Sequence, residues 1–258
     1  MDEDGKLPFT AHLEELRKRL ITCFIAIGIG FAISFVFKEK LFQILADPLQ
    51  DAFMKVMKHH ETLKYMALPE AFFTYLKVAL LSGFMIAAPV IFYQFWLFVA
   101  PGLYQKERRL LLPIILLSTV FFVGGALFGY FIVFPWGFEF FLKFSNATIS
   151  MEPRMNEYFS FSSKLLFAFG LIFELPLVLT FLAKLGIVSV EFLSRNRKYA
   201  ILLFFVGGAI LTPPDVVKQV LMALPLIVLY EISIIGARIF GKKKSEDIDS
   251  TDQSKESK

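Results

Sequence analysis

The chain alternates long apolar runs with short polar interruptions, most of them basic. A helix needs about 20 mostly apolar residues to cross a bilayer, and fewer where the bilayer is thin. Residues 20–37 hold no charge and predict a first span. The uncharged stretch 78–105 is divided by Pro89 and Pro101, so a second span is placed at 71–99 with Lys77 snorkelling at its outer end. Residues 110–138 predict a third, in which Gly124, Gly125 and Gly129 permit close helix contact. Residues 160–183 predict a fourth, with Glu174-Leu175-Pro176 in its middle. A fifth, 199–213, is short: its apolar part, 199–211, reaches about 20 Å at 1.5 Å per residue. The sixth, 219–237, is interrupted by Glu231, and Pro213-Pro214-Asp215 forms a tight turn between these last two.

Charge orients the set. With six spans, the N-terminus, 102–109, 184–198 and the C-terminal tail share one side, and that side holds 17 of the 27 Lys and Arg. Basic residues in short segments beside span ends stay in the cytoplasm, which places both termini there and requires an even number of crossings. The expectation is an all-α polytopic membrane protein with six transmembrane helices. Residues 1–240 make one membrane domain, and the polar, mixed-charge tail 241–258 reads as disordered.

Composition agrees and excludes several classes. The chain is 56% hydrophobic, 19% charged and has a mean hydropathy of +0.62, and 32 of its 258 residues are Phe. A soluble domain is roughly 45–50% apolar and about 25% charged. Cys23 has no cysteine to pair with, His12 stands alone, and His59-His60 lack the spacing that sets two imidazoles on one helix face. No phosphate-cradling glycine loop, nucleophile elbow or basic-aromatic nucleic-acid pattern is present. The acidic start Met1-Asp2-Glu3-Asp4 and the Lys38-Glu39-Lys40 that follows the first run argue for a retained span, not a cleaved leader.

Three places carry candidate chemistry. In His12-Leu13-Glu14-Glu15-Leu16-Arg17-Lys18-Arg19-Leu20, the leucines take one helix face and Glu14, Glu15, Lys18 and Arg19 the other, which predicts an interfacial helix leading into the first span. Glu107 lies in the basic turn 101–109. Glu15 and Glu107 thus fall on the same membrane face, where each carboxylate could take a guanidinium in bidentate geometry that Lys cannot reproduce. The bland alternatives are an i,i+4 pair of Glu15 with Arg19 and a solvated loop acid at Glu107. Glu174 and Glu231 are intramembrane acids, which usually face protein, a wet cavity or a partner. For Glu174 the bland alternative is a protonated acid bonded to a neighbouring helix.

These residues resemble the TatC family, the multispanning subunit of the twin-arginine protein translocase. The segment His12–Leu20 is similar to its N-terminal signature, and Leu68-Pro69-Glu70-Ala71-Phe72-Phe73 to the start of its second span. Ala88-Pro89-Val90-Ile91-Phe92-Tyr93-Gln94-Phe95-Trp96, then Phe98 to Tyr104 and Glu107-Arg108-Arg109, resemble the rest of that span and the first loop. Phe169 to Pro176 resembles the fourth span, and Thr212-Pro213-Pro214-Asp215-Val216 with Gln219 the last outer turn. One departure is Gly102, where Ala is commoner in the family.

The resemblance implies that Glu15 and Glu107 bind the two arginines of an export signal peptide, with Arg17, Arg19, Arg108 and Arg109 shaping the site. Pro48, Pro89 and Phe98 match positions needed for function. Glu174 would sit on a concave intramembrane face. Gln219 and Asp215 would lie at a docking site for single-span partner subunits of the TatA and TatB types. It also implies location in the cell inner membrane among its lipids, further copies in a mixed complex, and export of folded proteins driven by the proton-motive force. It implies no cofactor, no metal, no nucleic acid and no covalent catalysis. The reading from another class is a proton-coupled small-solute transporter with Glu174 or Glu231 as proton carrier, against which the lack of an inverted repeat weighs.

Overall fold

The computed structural model describes residues 9–59, 61–99, 111–145, 151–211 and 216–241. These are helical apart from links, with no strand among them beyond one isolated bridge between Lys64 and Arg154. Helix α1 (Phe9–Val36) is unbroken. The expected interfacial helix is therefore no separate element: its polar face occupies the first turns of the same rod, about 42 Å long at 1.5 Å per residue.

Helix α2 (Lys38–Met57) follows almost at once and is amphipathic. Its buried Phe42, Leu45, Ala46, Leu49, Ala52 and Phe53 recur at three- and four-residue spacing and fill one stripe. It ends at Lys58, which takes a left-handed φ of 60°. Helix α3 (Glu70–Val99) begins where the Glu70 carboxylate folds back to accept the Met66 and Ala67 amides at 2.6 and 3.2 Å. Pro89 lies inside α3 and does not divide it; the helix continues for ten residues beyond it.

Helix α4 (Leu111–Phe128) passes through a π-helical turn, Gly129–Val133, into α5 (Phe134–Leu142). Helices α6 (Met155–Phe173) and α7 (Leu175–Lys184) are separated only at Glu174. Pro176 explains the break, because it has no N–H to donate back into α6. A short α8 (Val190–Arg195), capped by the Ser189 hydroxyl, lies in the basic segment that the sequence reading left without structure. Helices α9 (Arg197–Leu211) and α10 (Val216–Phe240) complete the chain. Glu231 does not interrupt the last helix, and Arg197 lies beside it.

Four segments among the described residues are long and apolar enough to cross a membrane: Ala11–Val36, Glu70–Val99, Leu112–Leu142 and Met155–Lys184. The main core joins α2, α3, α5 and α6 around Leu49, Phe53, Val78, Phe134 and Phe169. Smaller clusters sit at Ile234 and Ala237 of α10 and at Trp96 of α3. Helix α1 is attached mainly through α3, and at their crossing Gly30 and Gly83 bring the two backbones together.

Candidate functional site

The start of α1 and the end of α3 meet at one end of the bundle. His12 stacks on Phe98 with ring centroids 4.4 Å apart and planes 16° from parallel. One and two turns further along α1 stand Glu15 and Arg19, where Arg19 Nε donates to Glu15 Oε1 at 3.0 Å and its Nη2 donates to the same oxygen. Arg19 Nη1 reaches across to Gln94 Oε1 of α3 at 3.3 Å. Both Arg19 contacts with Glu15 converge on Oε1, so Arg19 leaves Oε2 to other donors. Glu15 is about one quarter exposed, in contrast to the solvated pair Glu14–Lys18 beside it. A half-sheltered carboxylate with one oxygen engaged and one open can take a second guanidinium through charge-assisted hydrogen bonds.

The i,i+4 pair of Glu15 and Arg19 weighed from the sequence is thus present, and it belongs to a larger cluster. Arg17 is exposed on the outer side of α1. Glu107, Arg108, Arg109 and Asp215 lie outside the described residues, as does the tail 242–258.

Glu174 heads a second network. It is buried, 6% exposed, at the break between α6 and α7. Trp96 Nε1 donates to Ser118 Oγ at 2.7 Å, and the Ser118 side chain lies beside the Glu174 carboxyl. Its Oε1 has no hydrogen-bond partner among the described residues. Glu231 belongs to a third group: Arg197 Nε lies 2.9 Å from its Oε1, and the neighbouring Tyr230 hydroxyl donates to Leu193 O at 3.0 Å. Gln219 donates to Phe205 O at 2.9 Å and so ties α10 to α9. Pro48 is buried within α2 and Pro89 is exposed on α3.

Sequence reasoning passed over Gln94, Ser118, Trp96 and Arg197 as partners, and weighed His12 only as a metal ligand. Gln94 carried one usable signal, a long polar side chain in an uncharged run. Outside the spans, Glu152 is held below the usual carboxylate range, first by the hydrogen bond from Lys64 Nζ at 2.8 Å and then by that residue's charge. The pair closes the link before α3 onto the start of α6, where Lys64 N donates to Pro153 O and Met155 N donates to Lys64 O, each at 2.9 Å.

The family described as Sec-independent protein translocase protein (TatC) matches residues 11–225. The Sec-independent protein translocase protein TatC of Desulforapulum autotrophicum is 61% identical over 245 residues, spanning 95% of this chain and 89% of the relative. That of Aquifex aeolicus is 44% identical over 242 residues, spanning 93% and 98%. A crystal structure of a twin arginine translocase receptor, TatC, is 45% identical and superposes with a TM-score of 0.70 over 88% of this chain and 98% of its own. A second such structure, in DDM, gives 0.72 at 44% identity over 90% and 100%.

Proposed function

The chain belongs to the TatC family of Sec-independent protein translocase proteins, and on that premise we propose that it is the subunit of a twin-arginine translocase that receives export signal peptides. The observation that carries this reading is the carboxylate of Glu15 near the start of α1, held by Arg19, which itself donates to Gln94, with one oxygen left to a further donor. Guanidinium is the partner such an oxygen favours, because two N–H donors in one plane match a carboxylate edge where an ammonium offers a point charge. Glu107, in the basic segment between α3 and α4, supplies the second carboxylate, and Arg17, Arg19, Arg108 and Arg109 shape the site.

The same reading counts α9 and α10 as spans five and six. Helix α9 has 15 residues and α10 has 25, about 22 and 38 Å at 1.5 Å per residue. Basic flanks then put both termini in the cytoplasm of a cell inner membrane. Single-span subunits dock near Gln219 and Asp215, and the proton-motive force drives folded cargo outward. Glu174 serves the passage from within the membrane, and Pro48, Pro89 and Phe98 shape the helices around it.

Crosslinking in membranes tests the receptor role. A peptide carrying Arg-Arg should label the wild-type chain, label Glu15→Ala and Glu107→Ala weakly, and fail on the double variant at equal protein level, with Lys-Lys as the control. Equal labelling of all variants by both peptides would return these acids to solvated surface charges.

A further inference from the structure

Helix α2 carries a proline in its interior and stays helical on both sides of it. Proline has no N–H, and its ring presses on the carbonyl four residues earlier, so Pro48 leaves the Ile44 carbonyl without its helical partner. A backbone carbonyl in that position needs another donor. It has one: the Tyr130 hydroxyl donates to Ile44 O at 2.6 Å. The next carbonyl on the same opened turn, Leu45 O, accepts from the Tyr158 hydroxyl.

The two tyrosines come from different helices. Tyr130 stands in the π-helical turn between α4 and α5, and Tyr158 in the first turn of α6. A π turn inserts one residue into the helical register, which re-aims the side chains it contains. Tyr158 is 7% exposed and packs its ring against Phe138 at 5.5 Å, so its hydroxyl has little access to water. Two donors from separate helices therefore converge on two consecutive carbonyls at the one turn that Pro48 opens.

We propose that Tyr130 and Tyr158 are positioning residues that dock α2 onto α5 and α6, and that Pro48 acts by presenting a backbone acceptor to them. The proline is a socket in the helix surface. The buried residues around it in α2 supply apolar packing, which fixes how deep the helix sits but not its register, and the Lys55–Glu139 pair is solvent-exposed, whereas a buried hydroxyl–carbonyl pair fixes both. Helix α2 follows α1 at the end of the bundle remote from Glu15, so the docking acts on the far face and leaves the carboxylate cluster untouched. Where the function proposed above holds, the translocation step depends on this docking and signal-peptide capture does not.

The full chain is purified as wild type, Tyr130→Phe, Tyr158→Phe and both together, each with Pro48 and with Pro48→Ala. Alanine at this position restores an N–H that satisfies Ile44 within the helix. Tyr130→Phe should lower Tm by about 2–4 °C in the chain that keeps Pro48, and by less than half as much in the Pro48→Ala background. Equal shifts in the two backgrounds would overturn the socket. A positional readout stands beside it. Lys55 of α2 and Glu139 of α5 pair at 3.0 Å, so Lys55→Cys with Glu139→Cys should be bridged readily by a short bis-thiol crosslinker in the background with both tyrosines and several-fold more slowly in the double Phe variant. Unchanged crosslinking would refute the docking. Export into inverted vesicles should fall in that variant with Arg-Arg crosslinking retained. Undiminished export would refute the part in translocation while leaving the receptor reading intact, and loss of both together would mean general misfolding and refute the positioning role.

Discussion

Gly83→Ala measures how α1 is held to the rest of the bundle. A Cβ at position 83 would lie 2.5 Å from Phe31 N and 2.8 Å from both Gly30 C and Phe31 Cα. All three are backbone atoms, so no side chain can rotate away, and α1 must retreat by about 1 Å to restore ordinary contact. Overpacking of this kind destabilises by about 1–3 kcal/mol, towards the upper end where backbone is the obstacle. Alanine in place of glycine returns about 1 kcal/mol of helix propensity. Gly28 supplies the control, because a Cβ there meets nothing within 4 Å and Gly28→Ala collects the propensity gain alone. The two variants should therefore differ by about 2–3 kcal/mol, which corresponds to roughly 4–12 °C in Tm for a chain of this size. Tryptophan fluorescence of the purified protein during heating reads the difference. Because α1 carries Glu15 and α3 carries Gln94, Gly83→Ala should also weaken Arg-Arg crosslinking at permissive temperature. Midpoints for the two variants within about 1 °C of each other would refute the close crossing.

Two further outcomes follow from the polar networks. Glu174→Gln keeps the shape of the buried side chain and should unfold within about 2 °C of wild type, whereas Ser118→Ala strands the buried Trp96 Nε1 donor and should lower stability by about 1–3 kcal/mol; the reverse order in a thermal unfolding series would sink this account. The Lys64–Glu152 contact makes the link before α3 pH-dependent: a carboxylate held below its unfolded pKa stabilises above that unfolded value, and the contribution is lost as pH falls through the folded one. Amide exchange of residues 61–70 should therefore speed up, beyond the intrinsic change, on acidification below the ordinary carboxylate range, and a Glu152→Gln variant that still shows this acceleration would disprove it.

Helix α2 shows how a local rule reverses in context. A proline in a helix interior predicts a break, and Pro89 was read from the sequence as dividing an apolar stretch. In the fold both prolines sit inside continuous helices. At Pro48 the freed carbonyl is met by a tyrosine 86 residues away in sequence. Between α6 and α7 the proline does mark a break, and there the residue that separates the two helices is the buried Glu174.

What the sequence determined alone is what depends on short stretches of chain. A run of some 20 apolar residues satisfies its backbone only as a helix in a bilayer, whatever surrounds it. The positions of the four longest spans, the greasy composition and the motifs in register were therefore legible without coordinates, whereas the break at Glu174 inside the fourth span was not. Tertiary structure decided which side chains meet. Arg19 bonds to Gln94 across 75 positions, and His12 stacks on Phe98, only because α1 and α3 cross where both backbones carry glycine. Glu231 was read as an interruption and proved to be a partner of Arg197, because the pairing needs the α9–α10 hairpin to bring them together. Hydropathy reports whether a segment avoids water, which each residue settles for itself. The face it turns to its neighbour is settled by the close approach of another helix, and that is a property of pairs.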